Sequence, residues 1–397
     1  MEKEIKYQKE IFQIRRIYVV LVLVSTFFIN FDSAVVIPIL ANFAISLGAS
    51  ILLAGTIVGI YSVFHIPSNI ILGRMVDKFG RKKFLFLGIL LDGFSMLLYF
   101  LASNPIFLLI ARIIHGLGGG FGGPASMSYL GDVSLRQKSG KAMAIYGISV
   151  GASMLFGFLV GGMLASYVGY RNLFLIISII MFIISFISLT LPISQKPQKI
   201  QYKLKLEIKG FLQIITKRKL IIPYISILVI FFNLGVLTAT YTIFLKDFAY
   251  NDAQIGMILS IMVIFSIVFH YPAGKLGDNI GKVKILVFGL IISAFGFAFL
   301  LISPYSPFPY IGMAIFGVGH GSVFPTSAAI VRDESTIQDR GIATGIFYAL
   351  NVAGIAIGSP VSGFIVEFFN FNLALLVSIL LPICIAIIII ILEISKR

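Results

Sequence analysis

The chain has little charge, a single cysteine, and no polar stretch long enough to form a separate soluble domain. Charged residues make up only 12% of its 397 positions, where a soluble domain carries about 25%. The one cysteine, Cys384, excludes an intramolecular disulfide. There is no Gly-x-x-x-x-Gly-Lys-Ser/Thr loop to cradle a nucleotide phosphate, so an ATP-driven pump is not indicated. His-Glu-x-x-His, Cys/His clusters and an Asp-rich diphosphate site are missing too, so a membrane-embedded enzyme lacks support and neither a metal nor another cofactor is expected.

What the chain does have is apolar length. Hydrophobic residues make up 58% of it. Runs near twenty residues, enough to cross a hydrocarbon core of about 30 Å, recur from one end to the other. Twelve spans are expected, at 17–40, 51–73, 84–103, 106–129, 141–165, 173–194, 220–245, 254–273, 285–303, 309–330, 342–365 and 372–393. The first run is too long for a signal peptide and is read as a retained helix.

The net charge of +15 could suggest nucleic acid, but its distribution gives a different reason for it. With the N-terminus inside, 28 of the 31 Lys and Arg fall in the tails and loops of one face, against only Arg171 and Lys246 on the other; Arg112 lies within a span. This bias predicts both termini in the cytoplasm, with the basic face attracted to anionic lipid and no nucleic-acid partner.

Gly73-Arg-Met-Val-Asp77-Lys-Phe-Gly80-Arg81-Lys82-Lys83 joins the second and third spans and reads as a short polar hinge. A shift of 201 residues brings its counterpart, Gly274 to Lys284, into register. The same shift pairs Gly88 with Gly289, Gly120 with Gly321, Pro124 with Pro325 and Asp132 with Asp333. The chain is therefore two parallel copies of a six-span unit. The expected domains are residues 1–195, a cytoplasmic linker at 196–219 carrying eight cations, and residues 220–397.

The pattern Gly73-x-x-x-Asp77-x-x-Gly80-Arg81-Lys82 resembles the loop signature of the major facilitator superfamily of secondary transporters, and the resemblance extends over essentially the whole chain. It implies an all-α membrane protein with twelve transmembrane helices in two six-helix bundles, working by alternating access. By the same resemblance Gly73, Asp77, Gly80 and Arg81, with Asp132 and Arg136 nearby and Asp278 in the second copy, form a conformational latch. Lys282 stands where a second Arg81 is expected. The substrate cavity in this superfamily is lined by the first, fourth, seventh and tenth helices. The polar residues Asn30, Asn233, Tyr241 and His320 on those helices, with Asn351 on the eleventh, are the candidate cavity groups. Arg112 in Arg112-x-x-x-Gly116 matches the fourth-helix arginine of the proton-coupled exporters. The fifth-helix Gly-Pro pair of drug antiporters is not matched, since Phe158 follows Gly157.

Three spans carry charges away from their ends, where they are expensive in lipid and usually pair across a cavity. Asp32 lies about 22 Å up the first helix and Arg112 about 9 Å down the fourth, at 1.5 Å per residue, so the two share a depth. His115 is one turn from Arg112 on the same face. The expectation is that a proton arriving at Asp32 frees Arg112, with His115 as relay, and that this is linked to the change of access. Asp92, in the third span, calls for protonation or a partner. The reading is proton-coupled efflux of a drug-like or amphipathic small molecule across the plasma membrane. The alternatives are an importer of a sugar, organic acid or amino acid, or a sensor that has lost transport.

Overall fold

The computed structural model describes residues 2–133, 139–192, 214–336 and 339–394; Arg136 and most of the 196–219 linker lie outside the described residues. Within them the chain is all α, with no strand. The helices are α1 (Glu2–Val36), α2 (Leu40–Ser46), α3 (Ile51–Phe79), α4 (Arg81–Leu101), α5 (Pro105–Val133), α6 (Ser139–Ser188) and α7 (Arg218–Val236). A π turn at Leu237–Tyr241 leads into α8 (Thr242–Asp247), followed by α9 (Asp252–Ile280), α10 (Lys282–Ile302), α11 (Phe308–Glu334), α12 (Arg340–Phe368) and α13 (Phe371–Ile394).

Among the described residues eleven helical stretches are long and apolar enough to cross a membrane, and one of them, Ile145–Ser188, is 44 residues long. That length is too great for one crossing. Its helix bends at Gly169, where φ is 77° and ψ 163°. This left-handed conformation is open to glycine without strain. Two crossings thus meet at a single residue, and the total is the twelve that hydropathy predicts.

The hinge at 73–83 requires a correction. It is not an eleven-residue loop: α3 runs on to Phe79, α4 begins at Arg81, and the chain reverses at Gly80 alone, with φ 100°. The second copy does the same at Gly281, with φ 106°. The polar residues between the glycines are compatible with a helix, and Gly73 costs a helix interior only about 1 kcal/mol. Asp77 and Asp132 sit on α3 and α5, with side chains outside the described residues. In the second copy Lys282 bonds Asp333 and lies 3.5 Å from Asp278, so the lysine that replaces arginine still joins two carboxylates.

The described chain forms two compact units, one of residues 1–36 and 64–200, the other of residues 37–63 and 201–397. Residues 37–63, counted with the first half on sequence, group with the second. Pro38 lies in the break between α1 and α2, as expected of a residue with no N–H to continue a helix. Asn42 on α2 then donates to the Thr242 carbonyl at 3.2 Å, and the Leu52 N–H donates to Glu367 Oε2 at 2.7 Å.

Inside each unit the helices meet through glycine. A Cβ on Gly120 (α5) would stand 2.2 Å from Ser68 Oγ (α3), and one on its counterpart Gly321 (α11) 2.4 Å from the Ser266 carbonyl (α9). In a membrane, where no hydrophobic force draws helices together, such close backbone contact supplies the packing. The outward faces are greasy: Phe186, Leu380 and Ile391 are all more than half exposed, as side chains that meet lipid should be.

Candidate functional site

The first unit encloses a polar cluster in an apolar core. Asp32 (α1), Asp92 and Tyr99 (α4), and Arg112 and His115 (α5) are all buried. The His115 imidazole is the hub. Its Nε2 lies 3.1 Å from Asp32 Oδ2 and 3.3 Å from Ser33 Oγ. Its Nδ1 lies 2.8 Å from the Tyr99 hydroxyl and 3.2 Å from Arg112 Nη1, and Arg112 Nη1 is also 3.4 Å from the Tyr99 oxygen.

Donor and acceptor rules order this network. A guanidinium only donates and a carboxylate only accepts. Nδ1 therefore accepts, and the neutral ring carries its proton on Nε2, where it donates to Asp32. Arg112 donates to the Tyr99 oxygen and Tyr99 donates to Nδ1, so every donor in the chain Arg112–Tyr99–His115–Asp32 points toward the carboxylate. The Ser33 N–H adds a donor to Asp32 Oδ1 at 2.5 Å.

The network has a built-in conflict. If Asp32 gains a proton, it needs Nε2 as an acceptor, and the ring proton moves to Nδ1. The Tyr99 hydroxyl can rotate to accept from Nδ1–H. Arg112 cannot accept, so two donors would face each other across the 3.2 Å gap. Arg112 must then leave the ring. The imidazole links Asp32 to Arg112 through its two opposite nitrogens.

Tyr99 is the part of this cluster that the sequence did not mark. The available signal was its position seven residues after Asp92, two turns on along the same helix face. Tyr99→Phe removes the hydroxyl that joins Arg112 to Nδ1. It is expected to lower stability by about 0.5–1.5 kcal/mol, read as a drop in the thermal midpoint of the detergent-solubilised protein; an unchanged midpoint would remove Tyr99 from the chain.

The candidate cavity residues are dispersed. Asn30 donates to the Thr26 carbonyl of its own helix at 2.8 Å. Asn233 donates to the Ser378 carbonyl at 2.9 Å, while its Oδ1, like Asn351 Oδ1, is buried with no partner among the described residues. Tyr241 closes the π turn, a feature that often marks functional positions. Its hydroxyl is buried without a partner among the described residues, and its ring stacks near Phe371 at 6.0 Å. His320 bonds Ser266 Oγ at 2.8 Å and sits among aromatic rings, with Phe231 at 5.3 Å and Phe324 stacked at 6.2 Å.

Comparison with known proteins agrees with this architecture. The sequence profile of the Major Facilitator Superfamily matches residues 22–242 and 223–396. The multidrug resistance protein MdtG of Enterobacter lignolyticus is 30% identical over 83% of this chain and 82% of its own. An uncharacterised MFS-type transporter of Methanocaldococcus jannaschii is 26% identical over 87% of this chain and 90% of its own. Multidrug resistance protein 2 of Bacillus subtilis is 26% identical over 74% and 73%. Among solved structures the nucleoside transporter NupG superposes with a TM-score of 0.79 over 94% of this chain and 98% of its own, at 16% identity. At that identity the likeness is one of fold. With its profile match spanning nearly the whole sequence and its helices arranged in the same fold, the chain belongs to the major facilitator superfamily of membrane transporters.

Proposed function

We propose that the protein is a proton-coupled exporter of small amphipathic organic molecules in the plasma membrane, with both termini in the cytoplasm. The observation that carries this reading is the buried chain Arg112–Tyr99–His115–Asp32. A proton on Asp32 reverses the imidazole and drives Arg112 off it, which couples protonation to a movement of α5 against α1. Asp32 is the group that binds the transported proton, His115 relays it, and Arg112 is the displaced charge. The Gly73–Arg81 turn, Asp132, Arg136 and Asp278 act as the conformational latch that favours one state over the other.

Export is supported by the relatives named as multidrug resistance proteins. An amphipathic cargo is supported by the aromatic surroundings of His320, where rings from α7 and α11 offer flat apolar contact. Asn233, Tyr241 and Asn351 supply polar atoms on α7, the π turn and α12 that have no partner among the described residues, and with Asn30 they are the groups proposed to orient the cargo.

The test is transport in proteoliposomes across a panel of an amphipathic cationic dye, a nucleoside and a dipeptide, with a proton gradient of either sign. The expected result is uptake of the dye alone, in exchange for protons. Transport of the nucleoside or dipeptide with the proton flux would make the protein an importer of metabolites. For topology, a cysteine at Gln201 in a Cys384→Ser background is expected to be labelled from the cytoplasmic side only; labelling of intact cells from outside would reverse the assignment.

A further inference from the structure

Asp92 takes no part in the hydrogen-bonded chain, yet it belongs to the same pocket of unit 1. It is 1% exposed, and neither carboxyl oxygen has a hydrogen-bond partner among the described residues. One of its oxygens lies within 4.8 Å of both an Asp32 oxygen and a His115 ring nitrogen. A Cβ on Gly118 would stand 2.6 Å from Asp92 Oδ1, so α5 leaves room for this carboxyl with a glycine. A bare carboxylate without a donor does not persist in a dry interior; it neutralises or finds a cation.

The charged and titratable neighbours can be named helix by helix. Asp32 comes from α1, Arg112 and His115 from α5, Tyr99 from α4 itself, and from α3 His65 stands near enough to His115 and Arg112 to feel their charge. From α6 the contacts are uncharged: Ser178 donates to the Gly93 carbonyl at 2.8 Å and Phe182 packs on Gly93. With the imidazole neutral, Arg112 supplies one positive charge. One carboxylate balances it, and a second leaves the pocket with an uncompensated negative charge.

We propose that Asp92 is a second proton-binding carboxyl that shares one proton with Asp32. In the arrangement described, Asp32 is ionised, since it accepts from His115 and the Ser33 N–H, and Asp92 holds the proton. Transfer of that proton from the Asp92 carboxyl to the Asp32 carboxylate leaves the pair at a net charge of −1 throughout and puts the protonated carboxyl against the imidazole, the arrangement that turns the ring. A second proton entering the pair makes it neutral, leaves Arg112 uncompensated, and drives the displacement described above. The occupant is a proton and not a metal ion. His115 already spends its Nε2 proton on Asp32, which leaves that nitrogen no lone pair for a metal, and Arg112 stands on the other nitrogen. The remaining carboxyl oxygens are too few for a hard cation, which takes about six oxygen ligands. The role in transport rests on the proton-coupled reading; the protonation of Asp92 does not.

Infrared difference spectroscopy of the full-length protein in lipid tests this without any substrate. A carboxyl group that is protonated and lacks hydrogen bonds gives a carbonyl band that is separate from the amide bands and shifts in heavy water. The wild type is expected to show this band at neutral pH and Asp92→Asn to lack it. In Asp32→Asn, Asp92 becomes the one carboxylate left to balance Arg112, so the band is expected to be lost there too. A band unchanged in Asp92→Asn overturns the proposal. A band that persists in Asp32→Asn also overturns it, and this variant serves if Asp92→Asn does not fold. Loss of the band on adding sodium or a divalent cation to the wild type would assign the site to a metal and equally overturn it. Loss of coupled transport in Asp32→Asn together with no protonated-carboxyl band in the wild type would leave the proton-coupled reading standing and remove only Asp92.

Discussion

Asp32→Asn is expected to abolish transport driven by a proton gradient while leaving binding of the cargo measurable. Asparagine has nearly the same shape, and with its one carbonyl oxygen in the place of Oδ2 it still accepts from His115 Nε2, a contact of 3.1 Å in the native protein, while the Ser33 N–H, 2.5 Å from Oδ1, loses its side-chain acceptor. Stability should therefore fall by no more than the worth of one hydrogen bond, about 0.5–1.5 kcal/mol. What is lost is the ability to change charge. Without it nothing forces the imidazole proton from Nε2 to Nδ1, and Arg112 keeps its place at 3.2 Å. Accumulation of the amphipathic dye against its gradient should fall to that of empty liposomes, while equilibrium binding of the dye stays within a few-fold of wild type. Retained accumulation in Asp32→Asn would exclude Asp32 as the coupling carboxylate.

The second large effect concerns stability. A Cβ on Gly358 would stand 2.2 Å from the Phe232 carbonyl, and one on Gly354, a turn earlier, 2.6 Å from the Leu228 carbonyl. Here α12 and α7 touch backbone to backbone, and neither can move away without disturbing the next turn. Gly358→Ala is therefore expected to cost about 1–3 kcal/mol, the range for overpacking a tight interior. Gly345 lies on the same helix, and a Cβ there meets nothing within 4 Å. Gly345→Ala is expected to be neutral or to stabilise by about 0.5–1 kcal/mol, since alanine favours the helix. Thermal midpoints of the two variants measured side by side check both. Equal midpoints would mean that glycine density here serves something other than close packing. In the first copy Gly157 occupies the equivalent place, with its Cβ position 2.4 Å from Ala34 Cβ, so the constraint is repeated.

Much of this architecture could be read from the sequence because lipid imposes simple rules. Span length and hydropathy located the helices, and the repeat at 201 residues showed the two copies. The errors have physical origins. The polar residues of the hinge point to a loop, yet within it and its second copy only Gly80 and Gly281 adopt a left-handed conformation. The two halves of α6 were expected to be joined by a loop, but one glycine suffices. The π turn at Leu237–Tyr241 was not foreseen, because an extra residue in a helical turn leaves no trace in hydropathy. At the site, the expense of burying charge singled out Asp32, Arg112 and Asp92. Depth arithmetic placed Asp32 and Arg112 at one level, but rise along a helix says nothing about rotation around it. That an imidazole stands at the centre, with Tyr99 on its far side, could only come from the packing of α4 between α1, α5 and α6.

The central claim is that cargo and protons move together, and one measurement addresses it directly. Proteoliposomes holding a trapped pH indicator, with no imposed proton gradient, are given a gradient of the dye alone. The account predicts proton movement opposite to the dye, abolished by Asp32→Asn. Dye flux in the wild type with no change in internal pH would contradict it.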